Sequence, residues 1–223
     1  MFSISNIRSK LIVYLRKFLR LVYARRLVRY PELQSLVDKF SKSKSAAVDL
    51  ADAIALYEYI HRLKPKCILE LGPGTSTNII SLAIDEIKKK DPSYEPTFLS
   101  IEENPEWLRY HEATFEPSLR KHVKLDALPT AKKQVDATGG AACYVGLPKL
   151  KYDFVFVDGP DFLRHGCEWS CDVIDLLDNL APRVWVVFDG REVTARETWK
   201  RLQSKGFKRK RNPYSLCYEI YRE

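Results

Sequence analysis

The spacing of apolar residues changes twice along this chain, and each change marks a different kind of structure. The first region is "KLIVYLRKFLRLVYARRLVRYPEL", where Leu11, Leu15, Phe18, Leu19 and Val22 recur at helical spacing. Lys10, Arg16, Lys17 and Arg20 lie on the opposite face. Arg25 and Arg26 break the stripe, and Pro31 limits the helix. After a Ser/Lys-rich linker (41–45), "AAVDLADAIALYEYIHRL" keeps the helical period until Pro65 closes it. Short continuous apolar runs then alternate with helical patterns. The runs are "KCILEL" (66–71), "TFLSI" (97–101), "HVKL" (122–125), "DFVFV" (153–157) and "VWVVF" (184–188), with helices expected near 76–90, 105–116, 166–180 and 192–205. Such runs are what parallel strands covered on both faces require. At the end, "FKRKR", "NPYS" and "LCYEIYR" predict an antiparallel hairpin. The expected fold is therefore α/β, a Rossmann-like seven-stranded, mostly parallel sheet with a C-terminal antiparallel hairpin and helices on both faces. Residues 1–45 form a basic helical extension to a domain spanning 46–223.

The charge belongs to the extension. The chain has 223 residues and a net charge of +8. Residues 1–30 carry eight Lys and Arg and no acid, which leaves 29 basic against 29 acidic residues elsewhere. The body is neutral, so the overall charge says nothing about its ligand. The longest uncharged apolar run at the N-terminus is too short to span a bilayer. Three readings of residues 8–30 stand: a helix lying in an anionic membrane surface, a helix packed on the domain or on a second copy in a homodimer, and a mitochondrial presequence. Nucleic-acid binding is disfavoured, because no reading motif accompanies the basic residues. The five cysteines form no Cys-x-x-Cys pair, and Cys167 and Cys171 share one face of the expected helix with no second ligand pair to complete a zinc site. A reducing compartment fits this usage: the cytoplasm, with attachment to the inner membrane face, or the mitochondrion.

Ligands of open parallel sheets sit beyond the carboxyl ends of the strands, so those ends carry the chemistry. The first reads Glu70-Leu-Gly72-Pro-Gly74-Thr75-Ser76, with glycines that allow close backbone approach and Thr75 or Ser76 as helix cap. The second ends at Glu102-Glu103-Asn104, where an acid suits ribose hydroxyls, and Glu103 or Asn104 suits a cap. The third ends at Asp126-Ala127, the fourth at Asp158-Gly159-Pro160-Asp161 and the fifth at Asp189-Gly190-Arg191. All five strands end at or beside an acid.

Together "ELGPGTS", "SIEENPEWL", "LDAL", "YDFVFVDGP" and "VVFDGR" resemble class I S-adenosylmethionine-dependent methyltransferases over residues 50–223. The nearest branch is that of small-molecule and saccharide O-methyltransferases. The resemblance implies S-adenosyl-L-methionine as cofactor. Glu70, Gly72 and Gly74, with Thr75 and Ser76, would border its methionine part; Glu102, flanked by Glu103, would hold the ribose; Asp126 and Ala127 would border the adenine. Asp158 would stand at the methyl group. Thr77 stands where a dinucleotide fold prefers a third glycine, and no Gly-Lys-Ser/Thr is present for a P-loop. The candidates for the base are Asp158, His165 and Asp161. In some relatives a divalent ion, Mg²⁺ for example, lies between the fourth-strand acid and an Asp-Asn pair; here Asp158 and Asp189 would be its ligands, but Gly190 replaces the Asn. Asp189 could instead pair with Arg191. The turn "DGPDF" departs from the signature of base N-methylation, so a small hydroxylated molecule, a saccharide or a protein is the expected acceptor. The insertion 138–152 is expected to cover the pocket, with Tyr144 and Trp169 as lining. The same fold also serves aminopropyl transfer and non-catalytic subunits.

Overall fold

The computed structural model describes residues 22–41, 49–136, 139–211 and 217–223. Most of the apolar stripe (Leu11 to Leu19) and its opposing cations, the linker beyond Ser41, the boundary at residue 45 and the "NPYS" turn lie outside the described residues.

Seven strands form one sheet. In chain order they are β1 (Cys67–Leu71), β2 (Thr97–Glu102), β3 (Lys124–Ala127), β6 (Tyr152–Val157), β7 (Leu180–Asp189), β8 (Lys208–Arg211) and β9 (Cys217–Arg222). β4 (Thr130–Asp136) and β5 (Gly139–Tyr144) make a separate antiparallel pair. The sheet order is β3-β2-β1-β6-β7-β9-β8, parallel from β3 to β7 and antiparallel at β9 and β8. The order reverses between β1 and β6, which opens a crevice at their carboxyl ends.

Alternation along each strand feeds two cores. Ile68, Phe154, Phe156, Trp185 and Val187 face a layer made by α1 (Pro31–Phe40), α2 (Leu50–Leu63) and α3 (Thr75–Lys90). Leu69, Leu71, Val155, Val157, Val186 and Phe188 face α5 (Asp172–Asp175), α6 (Glu192–Leu202) and Tyr144. Period-two burial into both layers explains why the strands read as continuous apolar runs. Caps set the helix starts. The Asp49 side chain accepts from the Ala51 amide at 2.8 Å, and Asn104 does the same for Glu106 and Trp107 at the head of α4 (Pro105–Thr114).

The described end of the basic extension packs on the domain. Residues 22–27 are helical, and Tyr23 and Leu27 join Leu33, Leu36, Val37 and Phe40 in the core. Val22 faces solvent, so the buried face here is Tyr23–Leu27 and not the stripe extended from Leu11. Arg26 bonds Glu58, and the Tyr30 hydroxyl donates to the same carboxylate at 2.8 Å. No helix among the described residues is long and apolar enough to cross a membrane.

Two expectations are corrected. The helix expected at 166–180 is a short turn at α5 followed by a 3₁₀ turn at Leu177–Asn179. Gly166 is left-handed, and Ala142 bridges Ser170, so the backbone of this segment is committed to β5 instead of a helix. Cys167 and Cys171 therefore share no helix face; Cys171 lies beside Cys143 and Asp175. The third strand also lies two residues later than "HVKL", because a 3₁₀ turn occupies Pro117–His122.

Candidate functional site

Two glycine-containing turns meet at the reversal point. Gly72 follows β1 with φ +90°, and a Cβ there would lie 2.8 Å from the Gly159 nitrogen. At Gly159 a Cβ would come 2.5 Å from the Tyr144 hydroxyl and 2.9 Å from the Gly72 nitrogen. The two turns thus interlock backbone to backbone, and glycine at these two positions is required by the protein's own packing. Gly74 is different. A Cβ there would meet only the Ser76 hydroxyl, at 3.7 Å.

Gly74 is also the N-cap of α3, and its amide donates to Thr77 Oγ1 at 2.9 Å. Neither Thr75 nor Ser76 caps the helix, since both already lie in its first turn. Ser76 and Thr77 turn inward to Glu70. This carboxylate is fully buried and accepts from Ser76 and Thr77 at 2.6 Å each and from Ser100 at 2.5 Å. Burial pushes its pKa up to about 7 against these three bonds.

In front of the interlocked turns lies a cleft of about 230 Å³. Its walls are Gly72 and Pro73, Glu102 to Asn104 with Trp107, and the turn from Asp158 to Asp161 with Arg164 and Arg191. Four carboxylates face two guanidiniums, which makes the cleft hospitable to a cation. Glu102 ends β2, is almost wholly buried, and accepts from the Asn104 amide at 2.7 Å. Burial and the adjoining Glu103 raise its pKa to about 7. Glu103 braces the site: it accepts from the Asp161 amide at 2.8 Å and the Tyr144 hydroxyl at 2.7 Å, bonds that pull its pKa down. The expected lid is thus support from below. Residues 139–144 form β5, buried from Ala141 onward, with Tyr144 against Gly159, and Trp169 packs with Ala141, Cys143 and Cys171 beneath Arg201.

Asp158 borders this cleft and a second of about 400 Å³, lined by Phe162, Leu163, Asp189, Arg191 and Val193 among others. Its carboxylate is open to the clefts yet surrounded by protein, and desolvation raises its pKa to about 6 against the pull of Arg191. Arg191 stands between the clefts. One of its terminal nitrogens donates to the Pro160 carbonyl at 2.8 Å and the other to the Asp158 carbonyl, while Nε lies 3.6 Å from the Asp158 carboxylate. The expected Asp189–Arg191 pair does not form, because the arginine is spent on the turn after β6. Asp189 lies instead beside Asp52 and Cys217.

Of the remaining candidates, His165 and Asp126 sit apart from the clefts. His165 meets the Thr130 hydroxyl at 2.8 Å, and Asp126 accepts from the Ala127 amide and lies 3.5 Å from Lys124. Asp161 caps the 3₁₀ turn after it through Leu163 at 3.1 Å, and also lines both clefts. Sequence reasoning missed Trp107, Arg164 and Arg191 as lining residues. Arg191 carried a signal, two residues past a strand end. Among the described residues no cluster of three ligand atoms includes Asp158, and the Arg191 Nε lies 3.6 Å from its carboxylate, so this arrangement gives no support for a divalent ion at Asp158 and Asp189.

The fold as a whole recurs in solved structures. A Staphylococcus aureus protein provisionally named a caffeoyl-CoA O-methyltransferase aligns over 93% of this chain and 98% of its own, with 13% identity and a TM-score of 0.59. This chain has the class I methyltransferase fold. The same fold appears in a methyltransferase from Geobacter sulfurreducens (16% identity, 86% of this chain and 90% of that one, TM-score 0.54). It appears again in an O-methyltransferase from Bacillus cereus in complex with SAH (12% identity, 86% and 90%, TM-score 0.52). No family model matches the sequence, and no curated protein matches it. At these identities the methyltransferase fold is what the likeness carries.

Proposed function

We propose that this protein is an S-adenosylmethionine-dependent O-methyltransferase acting on a small molecule or saccharide. The observation that carries the reading is that Asp158 borders both clefts, so a single carboxylate faces a cofactor on one side and an acceptor on the other. When bound, S-adenosylmethionine supplies an electrophilic methyl group on a cationic sulfur.

The chain's own residues then have three tasks. Glu102 would accept hydrogen bonds from the ribose hydroxyls, and the Gly72–Pro73 backbone would wall the methionine end. The surplus of carboxylates favours the sulfonium. Asp158, its pKa raised to about 6, would take the proton from an acceptor hydroxyl as that hydroxyl oxygen displaced the sulfur from the methyl group. Arg191 fixes the carbonyls of the turn that carries Asp158, so the base is aimed by a bonded scaffold.

The test is transfer of labelled methyl from S-adenosylmethionine to a panel of phenols, catechols and sugars. Label should enter at least one hydroxylated acceptor, and Asp158→Asn should lower that rate by roughly 10²-fold or more with cofactor affinity nearly unchanged. Full activity in Asp158→Asn would remove it as the base.

A further inference from the structure

A third cleft, of about 350 Å³, runs between α6 and the C-terminal hairpin. Its cations come from both walls: Arg196, which also pairs with Glu197 at 3.3 Å, from the helix, and Arg209 and Arg211 from edge strand β8, whose intervening Lys210 points to the other face of the sheet. Its floor is aromatic. The Arg209 guanidinium lies 5.3 Å from the Trp199 ring, and that of Arg211 lies 5.2 Å from the Tyr218 ring. Stacking leaves the in-plane N–H donors of both arginines free. Among the described residues no ion pair engages Arg209, Lys210 or Arg211. The groove's two acids are occupied: Glu219 is buried and takes the Tyr59 hydroxyl, and Glu192 bonds Tyr218. Cations on an edge strand also discourage strand addition, but that role needs neither a facing arginine on α6 nor an aromatic floor.

The groove adjoins the acceptor side of the site, since Glu192 lines both this cleft and the one containing Asp158 and Asp189. The polarity inverts across that residue, from a carboxylate-rich pocket to a cationic channel. We propose that the groove between α6 and β8 binds phosphate, and that it holds the phosphorylated portion of the methyl acceptor while the reacting hydroxyl lies at Asp158. The phosphate-binding half stands on the groove alone; the acceptor half rests on the methyltransferase reading above. Planar guanidiniums match phosphate oxygens in pairs, and the aromatic floor suits an apolar or sugar-ring segment beside them.

The experiment is calorimetric titration of inorganic pyrophosphate into the full chain, with and without S-adenosylhomocysteine, on wild type and on Arg209→Glu/Arg211→Glu. Both positions are exposed, so folding should survive. Wild type should bind pyrophosphate with an affinity that weakens steeply with salt, and the double variant should lose at least tenfold while keeping its S-adenosylhomocysteine affinity. In parallel, sedimentation with phosphatidylcholine vesicles, with and without phosphatidic acid, separates free phosphate from lipid phosphate as the source. Vesicle binding that needs phosphatidic acid and is lost in the double variant supports the groove and assigns it a lipid-borne phosphate. Absence of both kinds of binding, or binding unchanged in the double variant, overturns the proposal. If pyrophosphate binds in the groove and S-adenosylhomocysteine binds nowhere, the phosphate site stands and its link to methyl transfer falls.

Discussion

The turns after β1 and β6 are built from the same parts, an acid at the strand end followed by glycine and proline, yet their acids do different work. Glu70 is sealed beneath its turn with three hydroxyl donors around it. Asp158 stands at the lip of two clefts, with one guanidinium beside it and its carboxylate accessible. An acid at a strand end is therefore ambiguous until its partners are counted. Where buried donors saturate it, it organises the turn; where it is left open, it is available for chemistry.

The two acids should differ most in what they contribute to stability. Glu70→Ala would leave the hydroxyls of Ser76, Thr77 and Ser100 without their acceptor, and urea unfolding should show a loss of about 3 kcal/mol or more. Asp158→Asn should change stability by less than about 1 kcal/mol. Equal losses would erase the distinction.

Asp172 sharpens it from the other side. It is as buried as Glu70 but only half satisfied, with Oδ1 accepting from the Tyr144 amide at 2.7 Å and Oδ2 without a partner. Burial raises its pKa to about 7. The folded chain therefore holds this proton more tightly than the unfolded chain, whose carboxyl titrates near 4. The stabilisation is complete below pH ~4 and is lost as pH rises through about 7, on the order of 4 kcal/mol in all. Glu70, Glu102, Asp158 and Asp189 are raised in the same window, so Asp172→Asn should remove only Asp172's share of the decline between pH 4 and 7 in chemical denaturation; an unchanged slope would mean that Asp172 holds no proton there.

The parts legible in the sequence are those whose signal is local. β1, β2, β6 and β7 read as apolar runs because both faces are covered, and Glu102 was identified by standing at the end of one of them. β4 was not legible: "TAKKQVD" is mostly polar and solvent-facing, and its strand state comes from pairing with β5. The 166–180 segment misled because Cys167, Trp169, Cys171, Val173 and Leu176 are buried by tertiary contact with β5 and the sheet, not by a helical stripe. At the site, Trp107, Arg164 and Arg191 reach the cleft from elements whose approach only the fold defines. Close approach is expected from the sequence at Gly72 and Gly74; at Gly72 what approaches is the turn after β6, through Gly159, and at Gly74 no protein backbone comes close.

A nucleoside held in the cleft should depend on Glu102. Calorimetry of S-adenosylhomocysteine into wild type and Glu102→Ala tests this most directly. Loss of the charge-assisted bond to ribose should weaken binding by roughly 1.5–3 kcal/mol. Since the carboxylate form accepts both hydroxyls and its pKa is raised to about 7, wild-type affinity should climb as pH rises from 5 to 8, and the variant's should not. Equal affinity in the two proteins at every pH, or no binding to wild type at millimolar ligand, would contradict the account.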